Sequence, residues 1–275
     1  MQDIIFVHGM FQNAKSWDKW VRLFSDKGYN CVVRSWPLHD GEPAALRANP
    51  PASLGELRLA EIITSVEQTV SELNNPIMIG HSVGGLITQI MLNRGLISAG
   101  VAVNSVVPNG MVDFDWSSIK NIATIANPLK GDEPIMMDAK TFHAAFANTL
   151  SESAATTAFE QSATHDSRNV LRDCMGHEGQ IDLDTPHGPL LLIGGDKDEI
   201  IPAHLTEKNF KAYKDKGSIT DIKIFTERSH YICGEPGWED VADYALHWLE
   251  QHAAINVTDL SAGALKTDAS HGNLR

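Results

Sequence analysis

Gly80-His81-Ser82-Val83-Gly84-Gly85 lies between a short apolar run and a stretch of helical periodicity. A serine hydroxyl attacks a carbonyl only when a base takes its proton and a third group orients that base. The G-x-S-x-G setting suits this use. Small residues two positions before and after the serine let it occupy a sharp strand-to-helix turn, which lifts the hydroxyl clear of the backbone. The pattern alone arises by accident in roughly one chain in ten of this length, given the usual abundance of Gly and Ser, so it needs partners. Gly194-Gly195-Asp196-Lys197-Asp198-Glu199-Ile200-Ile201-Pro202 follows a later apolar run, and Glu227-Arg228-Ser229-His230-Tyr231 follows the next. An acid and a histidine therefore come after the serine in the order Ser, Asp, His. Asp196 and Asp198 both stand in the acid loop, and either one could serve.

These residues need elements to carry them. Asp3–Val7, Asn30–Arg34, Pro76–Ile79, Gly100–Asn104, Pro189–Ile193 and Asp221–Phe225 are short apolar or β-branched runs bounded by turn residues, the signature of buried strands. Helical stripes lie between them. Trp17, Trp20, Val21 and Phe24 share one face, with Ser16 placed as N-cap and Gly28 as terminator. Ser53 and Glu56 have capping-box spacing ahead of the stripe Leu59, Ile62, Val66, Val70 and Leu73. Leu86, Ile87, Ile90 and Met91 repeat the pattern up to Gly95, and Trp238, Val241, Ala245 and Trp248 do so near the C-terminus. Short apolar strands alternating with amphipathic helices predict an α/β fold: a parallel sheet of about six strands flanked by helices. In such sheets ligands bind at the carboxyl ends of the strands, where the motifs above all fall.

Residues 106–187 break the alternation, with helical stretches at Asp138–Leu150 and Glu152–Ala163 and no strand. A structureless loop of that length is improbable on general grounds, so this segment is expected to form a helical cap. The core is then 1–105 and 188–252, and 253–275, polar and without periodicity, is read as a mobile tail.

With four motifs in order, the chain resembles the α/β-hydrolase superfamily in its serine-hydrolase branch. The resemblance covers residues 1 to about 252, with FVHGM as oxyanion loop, GHSVGG as nucleophile elbow, GGDKDEIIP as acid loop and SHYICGEPGWEDVADYALHWL as histidine loop and last helix. It implies Ser82 as nucleophile, His230 as base, Asp198 as the acid that orients it, and the backbone N–H groups of Met10 and Val83 as oxyanion hole. Asp198 is preferred to Asp196 because the family's acid usually stands four residues before the proline that opens the next helix. The sequence opens directly at the oxyanion-loop strand, without the preceding hairpin of the fuller family, as in the plant methylesterase and hydroxynitrile lyase branch. In that branch the lyases carry a lysine directly after the histidine; Tyr231 stands there in this chain, which favours hydrolysis.

Composition narrows the partners. A net charge of −13 and the lack of a Lys/Arg cluster exclude a nucleic-acid partner, and no apolar run approaches the length of a membrane span. Three widely spaced cysteines, Cys31, Cys174 and Cys233, and no leader pattern lead us to expect a cytoplasmic protein with reduced thiols. No Walker lysine or G-x-G-x-x-G is present, and Cys174 with His177 is too sparse for zinc, so no cofactor and no metal are expected. His8 and His81 are read as braces of their loops, Trp17 and Trp20 as core, and His39 with Asp40 as a solvated loop. In the cap, Met111, Phe114, Trp116, Ile135, Met136, Met137, Phe142, Phe146 and Phe159 either line an apolar pocket or pack the cap onto the body. The reading that results is a serine hydrolase of small carboxylic esters acting through an acyl-enzyme. A lyase or cofactor-independent oxygenase on the same scaffold, or a non-catalytic binder of a small apolar ligand, are the alternatives.

Overall fold

The computed structural model describes residues 2–111 and 131–253. Phe114 and Trp116 of the cap, and all of the 253–275 tail except Ala253, lie outside the described residues. Six strands, β1 (Asp3–Val7), β2 (Asn30–Val33), β3 (Ile77–His81), β4 (Ala99–Val103), β5 (Leu190–Gly195) and β6 (Thr220–Phe225), form one sheet in the order β2-β1-β3-β4-β5-β6. Every neighbouring pair is parallel. The helices are α1 (Asp18–Asp26), α2 (Pro43–Ala48), α3 (Leu59–Ser71), α4 (Val83–Asn93), α5 (Glu152–Ser162), α6 (Arg168–Cys174), α7 (Ala203–Ala212) and α8 (Trp238–His252).

Side chains alternate across a strand, and the central strands are apolar on both sides because both faces are covered. Ile4, Phe6, Ile77, Ile79, Val101, Val103, Leu191 and Ile193 face α1 and α8, packing on Trp17, Trp20, Phe24, Val241, Ala245 and Trp248. Their neighbours Ile5, Val7, Met78, Ala102, Leu190 and Leu192 face α3 and α4. That second core continues without a break into Ile135, Met137, Phe142, Phe146 and Ala155, so the cap segment shares a hydrophobic core with the body.

Two expected helix starts are displaced. Asn13, not Ser16, caps the first helical segment: its Oδ1 accepts from Lys15 N, and a 3-10 turn over Ala14–Trp17 leads into α1. Ser53 and Glu56 belong to a separate 3-10 turn, Ala52–Glu56, while α3 starts at Leu59 with Glu61 accepting from Arg58 N at 2.9 Å. The turn is pulled out of helical register because the Gly55 carbonyl accepts from Ser167 Oγ and Asn169 Nδ2 of the cap, at 2.8 and 3.1 Å. Asp138–Leu150 is likewise not one helix but a single turn, Ala139–Thr141, followed by a π-helical turn, Phe142–Phe146.

Trp20 is 0% exposed, and its indole N–H donates to the Cys233 carbonyl at 3.0 Å, tying α1 to the loop before α8. Trp20→Ala is expected to cost about 3–5 kcal/mol, the range for deleting a buried aromatic side chain. Urea unfolding measures it, and a midpoint equal to that of the parent chain would contradict the packing described here.

Candidate active site

Strand order reverses between β1 and β3: the chain leaves β1 toward β2 on one side and leaves β3 toward β4 on the other. The loops after these two strands therefore diverge and open a crevice at their carboxyl ends. Gly9-Met10 follows β1 and Ser82 follows β3, so the fold sets the oxyanion-loop motif beside the elbow motif. Ser82 has φ 55° and ψ −117°, a strained conformation for a residue with a side chain. Close packing enforces it. A Cβ on Gly80 would lie 2.0 Å from the Gly84 carbonyl oxygen, and one on Gly84 would lie 2.2 Å from that of Val7. The Ser82 amide donates to Val103 O at 2.9 Å, and its carbonyl accepts from Gly85, Leu86 and Val106. Helix α4 begins at Val83, so the unpaired N–H groups and positive dipole end of its first turn lie at the serine.

His230 is 1% exposed, and its Nδ1 lies 2.7 Å from Asp198 Oδ2. A carboxylate only accepts, so His230 Nδ1 carries a proton and donates it to Asp198, which fixes the orientation of the ring. Asp198 Oδ1 accepts from Ile200 N and Ile201 N, both at 2.7 Å. Asp196 is exposed, and its carboxylate accepts from Glu227 N. Of the two acids in the loop, Asp198 is the one joined to the histidine. Among the described residues Ser82 Oγ makes no hydrogen bond to His230, a contact that commonly tightens only around substrate. The two are neighbours through His81, whose ring lies 4.7 Å from that of His230 and whose Nε2 donates to the His230 carbonyl at 2.8 Å.

The bracing histidines are held neutral. His8 donates from Nδ1 to Gly9 O at 2.8 Å and accepts at Nε2 from Trp36 N at 3.0 Å. Burial, reinforced by the nearby His39, lowers its pKa to about 3. Burial, together with the proximity of His230, also lowers His81 well below the usual histidine value. His39 departs from its expected place in a solvated loop: it is 1% exposed and 3.4 Å from the buried Asp166, while Asp40 alone faces solvent.

Two bracing residues escaped the sequence reading. Asn104, at φ 43° just past β4, donates to Ser229 O and accepts from Gly195 N, linking the histidine loop to the acid loop. Its place directly after a strand was the available signal. Glu235 is buried and accepts from Ser229 N, Ser229 Oγ and Thr149 Oγ1. No spacing pattern points to it. Cap aromatics close the other side, with Phe146 4.9 Å from the His230 ring and stacked on Phe142. Both are buried, so these two serve packing, whereas Met136 is exposed. Among the described residues no three His, Cys, Asp or Glu side chains group as metal ligands, and no helix is long and apolar enough to cross a membrane.

Residues 4–244 match the model of a family described as the alpha/beta hydrolase family. No curated protein sequence matches the chain. Among solved structures it is similar to a monoacylglycerol lipase from Paleococcus ferrophilus, with 21% identity and a TM-score of 0.64 over 91% of this chain and 94% of that one. It is also similar to a methylesterase from Arabidopsis, with 13% identity and a TM-score of 0.66 over 91% and 99%. A third is tomato methylketone synthase I, with 13% identity and a TM-score of 0.66 over 91% and 98%.

A histidine kept neutral in the fold but free to protonate when unfolded draws the chain toward unfolding as pH drops below 6.5. Between pH 7 and pH 5 His8 is expected to remove roughly 2 kcal/mol of stability, and His81 acts in the same direction. Urea unfolding of the parent and of His8→Gln at the two pH values separates this contribution from groups that titrate in the opposite sense, and an equal pH-dependent loss in folded His8→Gln and the parent would contradict a neutral buried imidazole at His8.

Proposed function

The chain belongs to the alpha/beta hydrolase family, and on that footing we propose that it is a serine hydrolase of small carboxylic esters. Ser82 is the nucleophile, His230 the general base and acid, and Asp198 the group that orients the imidazole. The observation that carries this reading is the buried 2.7 Å Asp198–His230 bond beside a serine held at positive φ. Ser82 Oγ attacks the ester carbonyl carbon as its proton passes to His230 Nε2, and the negative charge moves to the carbonyl oxygen. The N–H groups of Met10 and Val83 hold that oxygen. The tetrahedral adduct collapses, the bond to the alkoxy oxygen breaks, and His230 returns its proton to the leaving alcohol. Water then attacks the acyl-enzyme with the same proton transfers and releases the acid and free Ser82. Asp198 stabilises the imidazolium formed in each half without taking its proton.

Tyr231 supports hydrolysis over cyanohydrin cleavage. It offers a phenol packed on Phe142 and Phe146 where the lyases resembled by this branch carry a lysine. A second reading keeps the same residues and has His230 and Asp198 transfer protons on a bound substrate, with Ser82 auxiliary; a solved structure of this fold is named a methylketone synthase and holds beta-ketoheptanoate. We further propose that the protein is cytoplasmic and needs no cofactor.

Hydrolysis of p-nitrophenyl acetate and butyrate separates the two readings. Ser82→Ala is expected to lower kcat/KM at least a thousandfold and Asp198→Ala at least a hundredfold, while Asp196→Ala stays within about threefold of the parent. Unchanged ester turnover in Ser82→Ala would leave only the proton-transfer reading.

A further inference from the structure

The loop that carries Met10 is gripped by the cap. Phe11, the next residue, sits at φ 63°, a left-handed conformation that costs an aromatic residue energy and persists only when its surroundings hold it. Cap residues satisfy both of its backbone groups: its N–H donates to Asp166 Oδ2 at 2.8 Å and its carbonyl accepts from Thr164 N at 2.9 Å. Asp166 is itself immobilised. Its backbone pairs with Ile135 in both directions, at 2.7 and 2.9 Å, and its Oδ1 accepts from Ser167 N at 2.7 Å.

Oδ2 of the same carboxylate faces His39 Nε2 at 3.4 Å, with both side chains fully buried, and His39 Nδ1 lies 3.0 Å from Pro37 O. Nδ1 thus donates to a backbone carbonyl, while Nε2 makes no hydrogen bond and stands at ion-pair distance from the carboxylate, so what complements Asp166 is a positive charge on the ring. The titratable groups that face His39 are Asp166 from the cap and His8 from the end of β1; His165 contributes its backbone. Burial opposes the charge on His39 most strongly, and the Asp166 carboxylate together with the Pro37 and His165 carbonyls outweighs it, raising the histidine above its ordinary value. His8 stays neutral beside it.

A buried ion pair is a poor source of stability, since apolar replacements often do as well, so its place beside the strained loop points to a different use. We propose that Asp166 and His39 are positioning residues for the oxyanion hole: the pair fixes the Phe11 backbone, and through it the Met10 N–H, and so makes the hole depend on the seating of the cap. This rests on the role assigned to Met10 under the proposed function. The sign of the pH effect follows from a raised histidine pKa. The pair is intact below pH 6.5 and is lost as pH rises through the folded-state value, so catalysis gains an alkaline limb.

Phosphonylation of the full chain by a fluorophosphonate tests the proposal, because the phosphonyl oxygen occupies the oxyanion hole. Asp166→Asn and His39→Gln are expected to lower the maximal phosphonylation rate about tenfold at pH 7 with the half-saturating concentration unchanged, and to remove the alkaline limb. Melting curves identify the folded variants. Folded variants that keep a rate within twofold of the parent and the same pH profile overturn the proposal. If neither variant folds, or if the parent itself resists the reagent and the hydrolase reading fails, NMR of the parent chain decides. A His39 ring doubly protonated at pH 7, with the Met10 amide shift following its titration, supports the coupling. A neutral ring, or a Met10 amide indifferent to it, overturns it.

Discussion

The crowding of two backbones at the point where strand order reverses governs the site. The carbonyls of Val7 and His8 and the first turn of α4 come so close that a single added carbon on Gly84 would fall 2.2 Å from one of them and 2.6 Å from the other. From this contact follow the strained turn at Ser82, the aim of the α4 dipole and the nearness of the Gly9-Met10 peptide to the serine. Gly9 shows the same pressure from the opposite wall, since a Cβ there would lie 2.7 Å from the Ser82 Cβ. The nucleophile motif is therefore a packing solution first, and its chemistry is what the packing permits.

Around this contact the fold buries His8, His39, His81 and His230 and divides three tasks among them through their partners. His8 and His81 each pair with a backbone carbonyl in fully buried surroundings, and stay neutral as braces. His230 has a carboxylate on one nitrogen only, which orients the ring and leaves the other nitrogen for the proton transfer we propose. His39 has a backbone carbonyl on one nitrogen and a carboxylate at ion-pair distance from the other. The side chain is the same in all four cases, and the neighbours decide whether it is a strut, a base or a cation.

Much of this could be read from the residues because the information is local. The six strands lie within two residues of their expected ends: the four central ones are buried on both faces and are written as apolar runs, and the edge strands β2 and β6, only partly buried, are marked by β-branched residues between turn residues. Ser82, Asp198 and His230, the proposed nucleophile, acid and base, stand out because each falls in the segment that follows a strand, and the family resemblance sets Asp198 above Asp196 by its distance to Pro202. What stayed hidden depends on contacts between distant segments. The grip of Asp166 on Phe11 spans 155 positions, and the bonds from Ser167 and Asn169 that move the start of α3 span 112 and 114. Ser53 and Glu56 satisfy a local capping rule that these bonds override. Phe142 and Phe146 have the composition of a ligand wall or of a core, and only their burial, with one ring stacked on the other and Phe146 edge-on to His230, decides for packing.

The central claim is that Ser82 becomes a nucleophile because His230 takes its proton. Treatment of the protein with diethyl p-nitrophenyl phosphate, followed by digestion and peptide mass mapping, tests it most directly. The account predicts one diethylphosphoryl group per chain, on the peptide that contains Ser82, and loss of that adduct in His230→Ala. An adduct on any other residue, or undiminished modification of Ser82 without His230, would contradict it.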